Sequence, residues 1–203
     1  RQVLSYVERT QLGVRPALTP PIAAGSGQTL QIDAATRANL ELTRTLGGER
    51  AGSLLHCIDM SVTPAGGRLL AERLAGPLTA VDAIRDRLDS VSAFEADPLL
   101  RERVRAALKG APDMPRSLSR LAMERGGPRD LAAIRDGLTV AAALAALLPA
   151  ALPPELTRAG EALKALDPAI AATLSATLAD DLPLQKRDGG FVRAGYVPEL
   201  EEM

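Results

Sequence analysis

Aromatic side chains are nearly missing from this 203-residue chain: they make up 2% of it, as two Tyr and two Phe with no Trp. β-rich domains lean on aromatic and β-branched residues, so a core left to Leu, Ala, Val and Ile favours helix on helix and argues against sandwiches and barrels. Cysteine is scarcer still. Cys57 stands alone, which excludes an intramolecular disulfide and a zinc ribbon and suits a reducing cytoplasm. The only lysines are Lys109, Lys164 and Lys186, and every other basic side chain is Arg. With the heavy Ala content, that skew fits a GC-rich genome better than arginine chemistry. The 24 Lys and Arg are offset by 25 Asp and Glu, giving a net charge of −1 and a pI near 6.0. The overall basic excess that marks many DNA-binding domains is therefore lacking. No apolar run reaches the roughly 20 residues that span a bilayer. The longest, Leu138 to Leu152, is interrupted by Thr139 and Pro149 and reads as a core helix. Arg1 to Glu8 lacks the apolar centre of a signal peptide.

What is present is ordinary globular material, 46% hydrophobic and 24% charged. A chain of this length makes one large domain or two small ones and buries roughly 70% of its unfolded surface. Val3, Leu4 and Val7 lie on one side of a helix end that Gly13 and Pro16 stop. Leu18 to Ile32, with Pro20-Pro21 and Gly25-Ser26-Gly27, predicts extended pieces around a turn. Asp33 should cap a short helix running through Leu42, and Thr45 to Gly52 is a glycine loop. Thr63-Pro64, Asp97-Pro98 and Asp167-Pro168 each join a capping side chain to Pro at the first helical position, where its missing N–H and fixed φ suit the helix. Gly127-Pro128 is a weaker version, and Thr79 with Asp82 resembles a capping box.

Apolar spacing agrees with these starts. Val81, Ile84, Leu88, Val91 and Phe94 recur at helical steps and predict one buried stripe. Leu131, Ile134, Leu138, Ala141, Leu144 and Leu148 predict another. A third crosses Asp167-Pro168 from Leu163 to Leu178, as one kinked helix or as two. Leu182 to Pro198 should be extended, with a tight turn at Asp188-Gly189. The fold class is all-α: long antiparallel helices in a bundle, with short extended segments near residues 18–32 and 183–197.

Catalytic motifs fail on their chemistry. Gly47 to Ser53 has the glycine spacing of a phosphate-binding loop, but Ser53 sits where the lysine that reaches the phosphates belongs. His56 and Cys57 are neighbours; adjacent helical side chains point about 100° apart and do not converge as a nucleophile and base must. Within Leu54 to Ile58 they read as core or core-edge residues, and no nucleophile elbow supports a hydrolase at His56. Carboxylates are mixed with arginines, as in Arg85-Asp86-Arg87 with Asp89, which is the pattern of a solvated helix face rather than a metal loop. No catalytic, cofactor-binding or metal-ligating residue is assigned. For nucleic acid the best candidates are Lys186, Arg187 and Arg193 beside the Asp188-Gly189-Gly190 turn, where exposed cations could meet phosphates.

Read in order, several strings together resemble the MutS family of DNA mismatch-repair proteins. They are Ile32 to Arg37 leading to Asn39-Leu40-Glu41-Leu42, Asp59, Thr63 to Leu70, Pro77-Leu78 and Arg87-Leu88-Asp89. Pro112-Asp113, Arg120-Leu121, Pro128 to Leu131, Arg187 to Gly190, and Gly195-Tyr196 with Glu199-Leu200 complete the set. The sequence departs from the family pattern at Gly67, where Ser is usual, and at Glu72-Arg73, where a bulky aromatic commonly follows. The resemblance implies the core, or lever, region of such a protein: residues 1–12 ending a connector helix, 13–181 forming the helical core and 182–203 approaching the clamp. It implies mismatched double-stranded DNA and ATP with Mg bound by other parts of a longer homodimeric protein in the bacterial cytoplasm, associated with the nucleoid. The mismatch-reading Phe-x-Glu element would precede Arg1, and Phe94-Glu95 is no substitute. Rival readings are a helical protein-interaction adaptor, and the core of a MutS-like protein acting on branched nucleic acid or ribosomes.

Overall fold

The structure, a computed structural model, describes Arg9 and residues 29–197. The helix end expected before Gln11 and nearly all of the extended stretch at 18–32 fall outside the described residues. The helices are α1 (Ala34–Asn39), α2 (Leu54–Ile58), α3 (Pro64–Ala75), α4 (Val81–Ala96) and α5 (Pro98–Lys109), followed by α6 (Met114–Ala122), α7 (Pro128–Leu147), α8 (Pro154–Lys164) and α9 (Pro168–Thr177). A 3-10 turn at Lys186–Asp188 ends the series. Among the described residues β pairing amounts to two isolated antiparallel bridges, Thr29 with Leu78 and Leu178 with Val192. The chain is all-α. No described helix is long and apolar enough to cross a membrane.

Capping explains where most helices begin. The Asp33 carboxylate accepts from the Thr36 N–H at 2.9 Å, the Thr63 hydroxyl from Gly66 at 3.0 Å, and Asp97 from Leu100 at 2.9 Å. Asp97 is at once the C-cap of α4 and the N-cap of α5. At Gly127-Pro128 the cap runs the other way: the Asp130 carboxylate accepts from the Gly127 N–H at 2.9 Å. Pro168 resolves the third stripe into two helices, α8 stopping at Lys164 and α9 starting afresh.

Two starts and stops differ from expectation. Helix α1 ends at Asn39 rather than Leu42, because Glu41 turns left-handed (φ 47°) and its carboxylate accepts from the Leu46 N–H at 2.6 Å. Leu42 is thereby freed to bury itself, and its carbonyl accepts from the Leu55 N–H at 2.8 Å. Helix α4 begins one residue later than the Thr79 capping box expects. Leu78 is held extended by its bridge to Thr29, so the N-cap falls on Ala80, which has no side-chain cap.

The described residues form two compact units, one of residues 114–135 and 169–197, the other of residues 29–113 and 136–168. Helix α7, 20 residues long, gives its first turns to one unit and the remainder to the other. Half of its predicted stripe is buried: Leu138, Ala141 and Leu144 expose 8%, 6% and 8% of their surface, while Leu131, Ile134 and Leu148 are half-buried. Leu178, just past the end of α9, is the most enclosed leucine among the described residues at 1%.

The stripe on α4 is not buried. Val81, Leu88 and Val91 are more than half exposed, and the one buried residue is Ser90, whose hydroxyl donates to the Asp86 carbonyl at 3.0 Å. Helix α4 packs against α5 and α8. It meets α8 through charged groups, Arg87 with Glu155 at 3.9 Å and Asp86 with Arg158 at 3.7 Å, so its polar edge is engaged and its apolar stripe is not. His56 and Cys57 are also exposed rather than core residues, since a five-residue α2 turns only Leu55 inward.

Candidate nucleic-acid loop and the arginine contacts

The loop carrying the predicted basic residues is closed at its base by backbone. The Ala179 N–H donates to the Phe191 carbonyl at 3.0 Å and the Arg193 N–H to the Thr177 carbonyl at 2.7 Å. At its tip, the Asp188 carboxylate accepts from the Gln185 N–H at 3.1 Å, closing the 3-10 turn that replaces part of the expected extended segment. Gly189 and Gly190 follow with φ of 66° and 67°, a left-handed backbone that side chains resist, so the turn lies where the Asp-Gly pair predicted it.

This geometry divides the three candidates. Lys186 and Arg187 are exposed and have no carboxylate partner among the described residues, because Asp188 is committed to its own turn. Arg193 is held by Asp180 at 2.9 Å. That ion pair is exposed and weak, but it cancels the charge that a phosphate would meet. The loop thus presents a pair of cations rather than a triplet.

The glycine loop is built for capping. Ser53, at the position where a phosphate-binding lysine would stand, is fully buried. Its hydroxyl donates to the Arg50 carbonyl at 2.7 Å and accepts from the His56 N–H at 3.2 Å, starting α2. Among the described residues, no group of three or more His, Cys, Asp or Glu is placed to hold a metal ion.

Long-range arginine pairs are the feature that sequence reading missed. Arg68 donates two bonds to Asp113, both 2.8 Å, and that carboxylate raises the guanidinium pKa above its ordinary value. Arg73 reaches Glu155 at 2.7 Å, with Arg87 on the same oxygen, and the buried Nε of Arg73 has no acceptor. Arg105 donates to the Met60 carbonyl at 3.0 Å. Arg50 pairs with Asp59, whose carboxyl lies below its usual range chiefly because the Ser61 hydroxyl and N–H donate to it, with Arg50 adding to the effect. Partners 45 and 82 residues apart leave no local pattern. Beside Arg87 and Glu155 lies an open groove of about 490 Å3 walled by Leu88, Val91, Phe94 and Leu156.

Comparison with known proteins places this architecture. The family profile described as MutS domain III matches residues 35–201. The chain is 60% identical over 201 residues to the DNA mismatch repair protein MutS of Rhodopseudomonas palustris (strain BisA53), a match covering 98% of this chain and 22% of that protein. Over the same shares it is 56% identical to MutS of Rhizobium meliloti and 53% identical to MutS of Nitrobacter hamburgensis. It therefore spans about a fifth of the length of these relatives. On these matches, the chain belongs to the MutS family of DNA mismatch-repair proteins, within which it corresponds to domain III.

Proposed function

We propose that this chain is the coupling segment of an ATP-dependent protein that binds mismatched duplex DNA, carrying rigid-body movement between an ATPase region and a DNA-gripping region without catalysis of its own. The observation that supports this most is α7, a 20-residue helix that buries Leu138, Ala141 and Leu144. A helix of that length runs about 30 Å, and packed helices have discrete arrangements rather than a continuum, which suits transmission of a two-state change. ATP and Mg would be held by other parts of a longer, homodimeric protein in the bacterial cytoplasm. Within this chain, Lys186 and Arg187 are the residues proposed to meet DNA phosphates, and Arg193 is withdrawn by Asp180.

The test is Leu138→Pro in the full-length protein. Leu138 is buried in mid-helix, and Pro there removes one backbone bond and clashes with the preceding turn, at a cost of about 3 kcal/mol or more. The expected result is uncoupling: mismatched DNA still binds, but ATP no longer triggers its release. Normal ATP-triggered release would overturn the proposal. Independently, Lys186→Ala with Arg187→Ala should lower the salt dependence of DNA binding by about one counterion for each cation removed.

A further inference from the structure

The groove between α1 and the loop that follows it has an unusual electrostatic make-up. It is an open groove of about 460 Å3 whose walls include Arg37, Thr43, Arg44, Thr45 and Gly48, with no carboxylate. Elsewhere in the same unit Arg50, Arg68 and Arg73 each face an acidic partner. Here the guanidinium groups are anchored by backbone carbonyls instead. Arg37 makes one long 3.4 Å bond to Ile32, and Arg44 donates to Gly48 at 2.8 Å. Such anchoring orients a guanidinium without neutralising it, and leaves most of its donors free.

Of the three carboxylates nearest in sequence, Asp33 and Glu41 are committed to other bonds, and Glu49 is exposed and lies outside the groove wall. Asp33 accepts from the backbone N–H and hydroxyl of Thr36 at 2.9 and 2.7 Å, and Glu41 accepts from Leu46 at 2.6 Å. The half-buried Thr43 hydroxyl adds a donor with no partner among the described residues. The far wall is pre-set: the Thr45 N–H donates to the Glu49 carbonyl and the Gly48 N–H to the Thr45 carbonyl, both at 2.8 Å. Gly48 itself, at φ 84°, has nothing within 4 Å of a Cβ position, so the mouth stays open. Two guanidinium groups, that of Arg44 held by Gly48, and a hydroxyl on a wall without carboxylates form a donor set that phosphate oxygens select.

We infer that this groove binds a phosphate group, with Arg37 and Arg44 as its charged donors and Thr43 as a neutral one. Phosphate of a nucleotide and phosphate of a nucleic-acid backbone share that chemistry. The experiment is calorimetric titration of the 203-residue chain with inorganic pyrophosphate at low ionic strength. Saturable one-to-one binding is expected, weakened about tenfold by Arg44→Gln or Arg37→Gln, since each removes charge-assisted bonds. Arg103→Gln, at an exposed position on α5, should leave it unchanged. Arg44 is exposed, so its variant keeps the fold and decides the matter if Arg37→Gln unfolds. Absence of saturable binding, or full affinity in Arg44→Gln, overturns the inference. Competition with ATP and with a short single-stranded oligonucleotide then separates the sources: displacement by either or both supports the site and identifies its ligand, and displacement by neither overturns it.

Discussion

Leu178 and Leu88 occupy equivalent-looking positions in helical apolar stripes, yet the structure gives them opposite surroundings, and a pair of alanine substitutions tests that difference. Leu178 exposes 1% of its surface and Leu88 58%. Leu178→Ala removes three buried carbons, about 2.4 kcal/mol of transfer free energy at roughly 0.8 kcal/mol each, and the cavity left behind raises the cost to about 3–4 kcal/mol. Leu88→Ala leaves no enclosed cavity and loses only the covered fraction of its side chain, about 1 kcal/mol at most. Urea and thermal unfolding followed by circular dichroism measure both; for a unit of roughly 100 residues 1 kcal/mol moves Tm by about 4–8 °C. Because the chain has two compact units, each transition is fitted separately. The expected outcome is a loss of about 12–32 °C for Leu178→Ala in the transition of its own unit, against no more than about 8 °C for Leu88→Ala. If Leu88→Ala costs as much as Leu178→Ala, the α4 stripe is covered in solution and the packing assigned to that helix is wrong.

Three further substitutions probe the turns and the acid limb. A Cβ on Gly126 would lie 2.5 Å from Leu121 Cδ2 and 2.8 Å from its Cα, so Gly126→Ala should destabilise by about 1–3 kcal/mol in urea titrations. Glu124 closes α6 with a left-handed φ of 58°, while the Arg125 N–H reaches back to the Arg120 carbonyl at 2.9 Å. Glu124→Gly should therefore raise stability by about 0.5–1 kcal/mol, and any loss would contradict the left-handed cap. Asp59 has a carboxyl pKa held below its unfolded value by Ser61 first and Arg50 later, so the stability it adds is present above about pH 4 and is lost as pH falls through the folded pKa. Asp59→Asn should flatten the acid end of a stability-against-pH profile and leave its neutral region with the same slope.

The legible parts of this chain are those set by neighbours in sequence. Thr63-Pro64 and Asp97-Pro98 announce helices because cap and first turn are three residues apart, and the structure forms both bonds. The α7 stripe is readable for a similar reason, since from Gly137 to Leu147 no charged residue competes with the apolar periodicity. Helix α4 carries as clear a stripe, yet its orientation is decided by Glu155 and Arg158, far along the chain. The same limit explains the candidate loop. Three cations near a Gly-Gly turn are visible in the sequence, but the pairing of Arg193 with Asp180 depends on how the loop closes at Leu178 and Val192. Pattern alone misplaces His56 and Cys57 because the length of α2 is set by Ser53 and Asp59 at its ends, not by the apolar letters around them.

Asp97 belongs to two rods at once, so the elbow between α4 and α5 has no spare link. Deleting Asp97 would remove the side-chain cap of the second rod, and an inserted residue would part the end of one rod from the start of the next. Changes in length therefore cost a cap at that elbow, about 1 kcal/mol, and are absorbed more cheaply in the irregular stretches between other rods.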